Sequence, residues 1–237
     1  MTEADLRRHV AVACRVIALE GYVDLTLGHV SVREPGTERI WIKGKGVSLD
    51  EVEPEHVIAL DLSDANALDD PRYHLESVMH TEVYRARPDV GSVIHGHPIY
   101  ATALGATEAP LEMLSHDAVL FVDGLGEFDE GPDLVTDATR AGRVAAALGD
   151  RRAALLRNHG VVIAGEDVRW SVLTALALER AIRFQSIAST LGESRPISHA
   201  AAEKLRPQKY APTLLDDYWA AWERRVERAY GPMAGER

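Results

Sequence analysis

Cysteine is nearly absent from this sequence of 237 residues: Cys14 stands alone. One thiol makes no intrachain disulfide. Set in an apolar helical pattern, Cys14 reads as a buried structural residue in a reducing compartment. Long apolar runs are missing too. No stretch reaches the roughly 18 residues that a membrane span needs, and the opening MTEADLRRHV carries no apolar signal segment. The expectation is a cytoplasmic protein with no membrane partner. Positive charge is in deficit, with 26 Lys and Arg against 37 Asp and Glu, a net charge of −11. That balance argues against a nucleic-acid partner, because phosphate neutralisation needs clustered cations. It leaves room for a small anionic substrate at one local basic patch. No repeat, low-complexity segment or linker divides the chain.

What is present is the composition of an ordinary globular protein, 46% hydrophobic and 27% charged. TEADLRRHVAVACRVIALEGY reads as a helix, with Thr2 as cap and Gly21 as stop. LGHVSVRE and ERIWIKGKG alternate as strands around a PGT turn, and HVIALDL is a short apolar strand. HLESVMHTEVYRAR is helical and ends against Pro88. VGSVIHGH is a strand, after which Pro98 falls in the first turn of a helix. DLVTDATRAGRVAAALGD reads as a helix, RAALLRNHGVVIAGED as strand, tight turn and strand, and LSHDAVLF as a turn leading into an apolar strand. DVRWSVLTALALERAIRFQSIAST is a helix apolar around most of its circumference, so it must be covered on several sides. LLDDYWAAWERRVERAY is amphipathic, and its Tyr218, Trp219 and Trp222 are expected to pack it down. These elements predict one α/β domain over 1–237, three-layered α/β/α with a central, mainly antiparallel sheet, of which 198–237 form a C-terminal helical extension.

The chemistry sits at the end of the VGSVIHGH strand. Residues two apart on a strand share a face, so His95 and His97 point the same way, about 7 Å apart at Cα. Gly96 between them leaves the backbone uncrowded. The pair is either a metal-binding couple or two core or capping histidines. His159, in the Asn-His-Gly turn after a second apolar strand, weighs toward metal, since a metal-bound neutral imidazole avoids the penalty of burying a charge. Three histidines with an open position form the ligand set of a catalytic metal. Glu76 lies near the start of the preceding helix, as a ligand or acid/base group or as a glutamate favouring the helix dipole. His80 is one turn further on the same face, read as a structural histidine or a supporter of the site.

The pattern Glu76-x3-His80-x3-Tyr84-x2-Arg87-Pro88-Asp89, then VIHGHPIYATAL, then LLRNHG, resembles the class II aldolase/adducin superfamily over about residues 3–190. The resemblance implies that His95, His97 and His159 hold one divalent metal ion per chain and that Glu76 is the acid/base. It also implies a homotetramer with the active site at a subunit interface. Zinc or manganese fits the ligand set, and iron or cobalt is compatible with it.

The sequence departs from the sugar-phosphate members of that group. Where they carry a Gly-Asn-x-Ser loop, this chain has Gly28-His29-Val30-Ser31. Where they carry a Ser/Thr-Gly pair, it has Lys43-Gly44-Lys45-Gly46. His74-Leu75 replaces their paired serines. Gly28, His29, Ser31, Lys43, Lys45 and His74 are therefore the expected substrate-binding residues, in a basic pocket suited to a carboxylate. Solvated charges at a hairpin tip are the alternative for the two lysines and an outward-facing strand position for Arg33. Tyr210 is a candidate second proton donor, with a packed tyrosine as the alternative. His116 and Asp117 either border the site or form a turn. With histidine at position 29, LGHVSVR resembles the hydroxyaromatic decarboxylases of the group more than its sugar aldolases, and this resemblance implies a metal-dependent carbon–carbon lyase decarboxylating an ortho-hydroxy aromatic acid of the 3,4-dihydroxyphthalate type. Retro-aldol cleavage is the alternative, epimerisation would need a second acid/base pair, and a non-catalytic adducin-like binding module ranks last.

Overall fold

A computed structural model describes residues 1–233. The last four positions of the expected C-terminal extension, 234–237, lie outside the described residues. Helix α1 (Glu3–Leu19) opens with a capping box in which the Thr2 side chain and Asp5 bond each other's backbone N–H. A chain of short strands follows: β1 (His29–Arg33), β2 (Arg39–Lys43) and β3 (Val57–Asp61). Helix α2 (Ser77–Ala86), strand β4 (Ser92–Gly96) and helix α3 (Ile99–Gly105) come next. Then come β5 (Gly126–Phe128), α4 (Ala138–Leu148), β6 (Ala153–Leu156), β7 (Gly160–Gly165) and the long α5 (Val168–Leu191). The C-terminal extension consists of α6 (His199–Lys209) and α7 (Pro212–Tyr230).

The seven strands form one sheet in the order β3-β2-β1-β4-β7-β6-β5. Every neighbouring pair is antiparallel except β5 with β6. Alternation along the strands divides the core. Val30, Val32, Ile94, Val161 and Ile163 face a layer that contains α1, α3 and α5. Ile40, Ile42, Val93 and Val162 face a layer of α2 and α4. The expected α/β/α arrangement is thus present. The apolar circumference of α5 has its cause here: Val168, every residue from Ser171 to Glu179, Ala181 and Ile182 are buried, between the sheet and the helices around it. Trp219 packs α7 into this layer, edge-on to His9 at 5.5 Å. Among the described residues no helix is long and apolar enough to cross a membrane.

Three local readings change. The run after Asp117 is a 3-10 helix (Ala118–Phe121), not a strand. Its four apolar side chains are all buried, and a four-residue apolar run has no period that separates a turn from a strand. Helix α2 starts at Ser77 rather than at His74, so Glu76 is its N-cap residue. Pro98 is the N-cap of α3 rather than within its first turn.

Helix α3 has no side-chain cap of its own. Glu179 of α5 supplies one from outside. Its two carboxylate oxygens accept the Tyr100 and Ala101 N–H groups, each at 2.9 Å. This is the one carboxylate in the buried stretch of α5, and it steadies the turn that follows His97. Glu179→Ala leaves both donors unmet in a buried place. Urea unfolding is expected to show a loss of about 3 kcal/mol, from the usual worth of bonds to charged groups.

Candidate metal centre

Each candidate ligand side chain is delivered by a different piece of local chemistry. His95 ends β4 and faces the α2 layer, where it is fully buried. His97 is the second residue beyond, just before Pro98. His159 closes the β6–β7 turn, where Asn158 takes a left-handed φ of 56° that asparagine tolerates better than most residues. Gly160 then brings β7 against β4. A Cβ there would stand 2.5 Å from the Gly96 carbonyl oxygen and 2.6 Å from His97 Cδ2. Gly96 is crowded by side chains instead, since a Cβ would meet Asp24 Oδ2 at 2.9 Å and Tyr22 Cδ1 at 3.0 Å. Between two backbones this close, the three imidazoles gather with ring centroids 4.9 to 5.2 Å apart.

Glu76 reaches in from the start of α2. One carboxylate oxygen accepts the Val135 N–H at 2.8 Å. Its oxygens lie 3.6 Å from His95 Nε2 and 3.5 Å from His159 Nε2. One ligand atom from each of Glu76, His95, His97 and His159 falls within 4.8 Å of all the others. Burial works to raise the Glu76 carboxyl, but the imidazoles of His159 and His95 outweigh it and hold the group well below the usual carboxylate range.

The tautomers suit a metal. His95 Nδ1–H donates to the Val161 carbonyl at 2.9 Å, which leaves its Nε2 lone pair free. His97 Nδ1 faces Asp24 Oδ1 at 3.3 Å, and the other Asp24 oxygen accepts the His97 backbone N–H at 2.8 Å. Burial would lower His97, but the Asp24 carboxylate raises it overall. His95 Nε2 and His159 Nε2 are both buried with no hydrogen-bond partner. Buried polar atoms are rarely left so, and two aimed into one cluster are the signature of ligand atoms for an ion. The donor set fits a divalent cation.

The expected substrate residues divide. His29 opens β1 directly opposite His95 in the strand register and is buried, its ring 5.1 Å from that of His95. His74 lies against His29 at 4.8 Å. Ser31 is buried and bonded to His80 at 2.6 Å. Gly28 packs on Asp24 and Leu49. Lys45 is exposed. Lys43 is neither a solvated tip nor a free cation. It is fully buried, and its ammonium has three acceptors for three hydrogens: the Thr26 and Gly44 carbonyls and His74 Nε2, at 3.0, 3.4 and 3.2 Å. Its charge meets a ligand only through His74.

Tyr210 is not brought to this cluster within the chain. Its hydroxyl donates to the His116 carbonyl at 3.1 Å. It lines a cavity of about 470 Å³ with Gly165 and Glu166, at the end of β7 opposite His159. At the rise of a strand those ends are about 20 Å apart. Asp117 is engaged there by Arg180 at 3.0 Å. Arg33 turns back onto α2 instead of outward, donating to the Tyr84 carbonyl at 2.5 Å. The residue missed in the sequence is Asp24. It stands 73 positions from His97, and no spacing rule links the two.

The chain belongs to the class II aldolase and adducin N-terminal domain family, whose model matches residues 8–186. It is 30% identical to the decarboxylase NovR of Streptomyces niveus, over 95% of this chain and 84% of that protein. It is 29% identical to the 3,4-dihydroxyphthalate decarboxylase of Arthrobacter keyseri, over 76% of this chain and 77% of that one. A crystal structure of an aldolase II superfamily protein from Pseudomonas syringae superposes with a TM-score of 0.83 at 26% identity, covering 97% and 94% of the two chains. Members of the family include aldolases and decarboxylases, which are lyases, and the class II aldolases use a divalent metal.

Two outcomes follow from this geometry. Asp24→Asn keeps the shape of the His97 support and removes its charge. Zinc affinity, read by competition with a chromogenic chelator, is expected to fall about 10- to 100-fold. An unchanged affinity removes Asp24 from the site. Burial also pushes the Lys43 ammonium down to about 8. Above that pH the folded chain gives up a proton that the unfolded chain keeps until about 10.4. Unfolding free energy therefore rises with pH across this window. In urea titrations from pH 7.5 to 10, the wild type is expected to gain on Lys43→Met as pH increases.

Proposed function

We propose that the protein is a divalent-metal-dependent carbon–carbon lyase that decarboxylates an ortho-hydroxy aromatic carboxylate of the 3,4-dihydroxyphthalate type. The observation that carries this reading is the convergence of three imidazoles on Glu76, with two buried Nε2 atoms left without partners. His95, His97 and His159 would hold a divalent ion, with zinc or manganese expected and iron or cobalt compatible, and the Lewis acidity it would supply would stabilise an oxyanion on the substrate.

The chain's own residues do the rest. Glu76, ionised in the resting site, takes the proton of the ring hydroxyl and returns it to the ring carbon that bears the carboxylate. That carbon's bond to the carboxylate then breaks, carbon dioxide leaves, and the electron pair restores the aromatic phenolate. Val135 N–H anchors one Glu76 oxygen while the other is free to move the proton. The floor of His29 and His74, backed by Lys43, supports an anionic substrate. The names of the two decarboxylase relatives support decarboxylation over retro-aldol cleavage, and the 3,4-dihydroxyphthalate decarboxylase supports an aromatic acid as the substrate.

We assign the chain to a homotetramer with the site between subunits, in a cytoplasmic setting. The support is apolar surface beside the cluster: Leu25, next to Asp24, is 78% exposed, and Leu75 and Ile99 are exposed next to Glu76 and Pro98. Light scattering is expected to give four times the 26.0 kDa of one chain.

The test pairs elemental analysis with an assay for carbon dioxide release from 3,4-dihydroxyphthalate. About one metal per chain and release are expected in the wild type, and both are lost in His95→Ala. Glu76→Gln is expected to retain most of the metal and lose release by about 10²- to 10⁴-fold. Metal without release moves the reaction to retro-aldol cleavage. No metal after soaking removes the catalytic reading and leaves a binding module.

A further inference from the structure

Four side chains beside the cluster make an unbroken line of hydrogen bonds. Tyr84 Oη is 2.8 Å from Ser31 Oγ, Ser31 Oγ is 2.6 Å from His80 Nδ1, and His80 Nε2 is 2.7 Å from His29 Nδ1. None is more than 1% exposed. The line exists because two periodicities meet. Glu76, His80 and Tyr84 recur every four residues on one face of α2, while His29 and Ser31 recur every two on the α2-facing side of β1. It starts under the far end of α2 and finishes at the ring that faces His95.

The direction of the hydrogens can be worked out. His80 and His29 are both buried with no carboxylate among their hydrogen-bond partners, so each ring is neutral and carries one N–H. The line then holds four hydrogens for three links, and one is left over at an end. If the hydrogens run from His29 toward Tyr84, the spare one is the Tyr84 O–H. At that end Ser31 is the only hydrogen-bond partner of the Tyr84 hydroxyl among the described residues, and the Arg33 guanidinium stands 4.9 Å over the ring. A buried O–H with no acceptor costs about 1–3 kcal/mol. If the hydrogens run the other way, every link is made and the spare one is the His29 Nε2–H. That atom, unlike Nε2 of His95 and His159, is not sealed away without a partner. The second arrangement wins.

We infer that His29 is a neutral hydrogen-bond donor to the substrate, held in its Nε2–H form by Tyr84, Ser31 and His80, and that it receives an anionic oxygen of a ligand bound beside the three metal-ligand histidines. The inference rests on the reading of that cluster as a substrate site. It makes His29 a catalytic residue that touches substrate, and it makes His80, Ser31 and Tyr84 positioning residues. A bond from this donor to a carboxylate or phenolate is roughly twice as strong as one to a neutral oxygen. A ligand offering only a donor at that point meets an N–H it cannot satisfy. The relay therefore selects for an acceptor, and for a charged one.

The experiment uses zinc-loaded protein with ¹⁵N-labelled histidine rings, long-range ¹H–¹⁵N correlation spectra, and salicylate as probe. In the wild type, His29 and His80 are both expected as Nε2–H tautomers, and the His29 Nε2–H resonance is expected to shift saturably with salicylate. Ser31→Ala removes the donor that fixes His80. It is expected to mix the His29 tautomers and weaken salicylate binding about tenfold, the worth of one hydrogen bond, with zinc affinity unchanged. Ser31→Thr, which keeps the hydroxyl, is expected to restore both. An Nδ1–H tautomer of His29 in the wild type overturns the proposal. So does an absence of salicylate binding at millimolar concentration, or a His29 resonance that bound salicylate does not move. No turnover is measured, so a protein that passes these tests and releases no carbon dioxide keeps its donor and loses only the decarboxylase reading.

Discussion

A buried neutral imidazole brings one N–H and one lone pair into a place without water, and both must be met. Six histidines sit on or beside one face of the sheet centre here, and the arrangement of all but His159 follows from that requirement. His95 gives its N–H to a backbone carbonyl and His97 faces a carboxylate with its own, so both turn lone pairs the same way. His29 and His80 answer each other. His74 is met by a lysine that has no other use for its third hydrogen. The result is a set of rings whose tautomers are decided by their surroundings before any ligand arrives, which is the kind of preorganisation that lets polar groups act without rearranging.

The layered fold was legible because it rests on periodicity. Alternation marked the central strands, and the apolar circumference of α5 announced a helix covered on several sides. The three candidate ligand histidines were legible for a related reason: two of them stand two residues apart and the third closes a turn. What was not legible depends on contacts across the fold. Asp24 supports His97 from a loop 73 residues away, and nothing in its own neighbourhood marks it. Lys43 reads as a hairpin cation until the sheet closes over it. Tyr210 was weighed as a proton donor on resemblance alone, and the packing of α6 and α7 places it at the other end of β7. The 118–121 run misled because an apolar stretch so short carries no period at all.

The two layers contribute unequally. The α2 layer supplies Glu76 and the relay behind His29, so it carries chemistry on a helix whose buried face is largely polar at its sheet-facing stripe. The α5 layer supplies almost pure packing, with one exception. Glu179 crosses from the middle of the most apolar helix to cap the helix after His97. A charge in that position is tolerated because two N–H groups meet it, and it ties the ligand turn to the most deeply held element of the domain.

The close approach of Gly160 to Gly96 has a consequence for how the molecule comes together. Neither β4 nor β7 contains the site, and neither α2 nor the β6–β7 turn contains a usable half of it. The ligand atoms become neighbours only when the three central strands, drawn from distant parts of the chain, have zipped into register. An ion therefore finds only the local His95 and His97 pair to grip in the unfolded chain and all four side chains in the folded one. Whatever free energy it contributes is delivered to the whole domain at once, as a concentration-dependent rise in global stability rather than the stiffening of one loop.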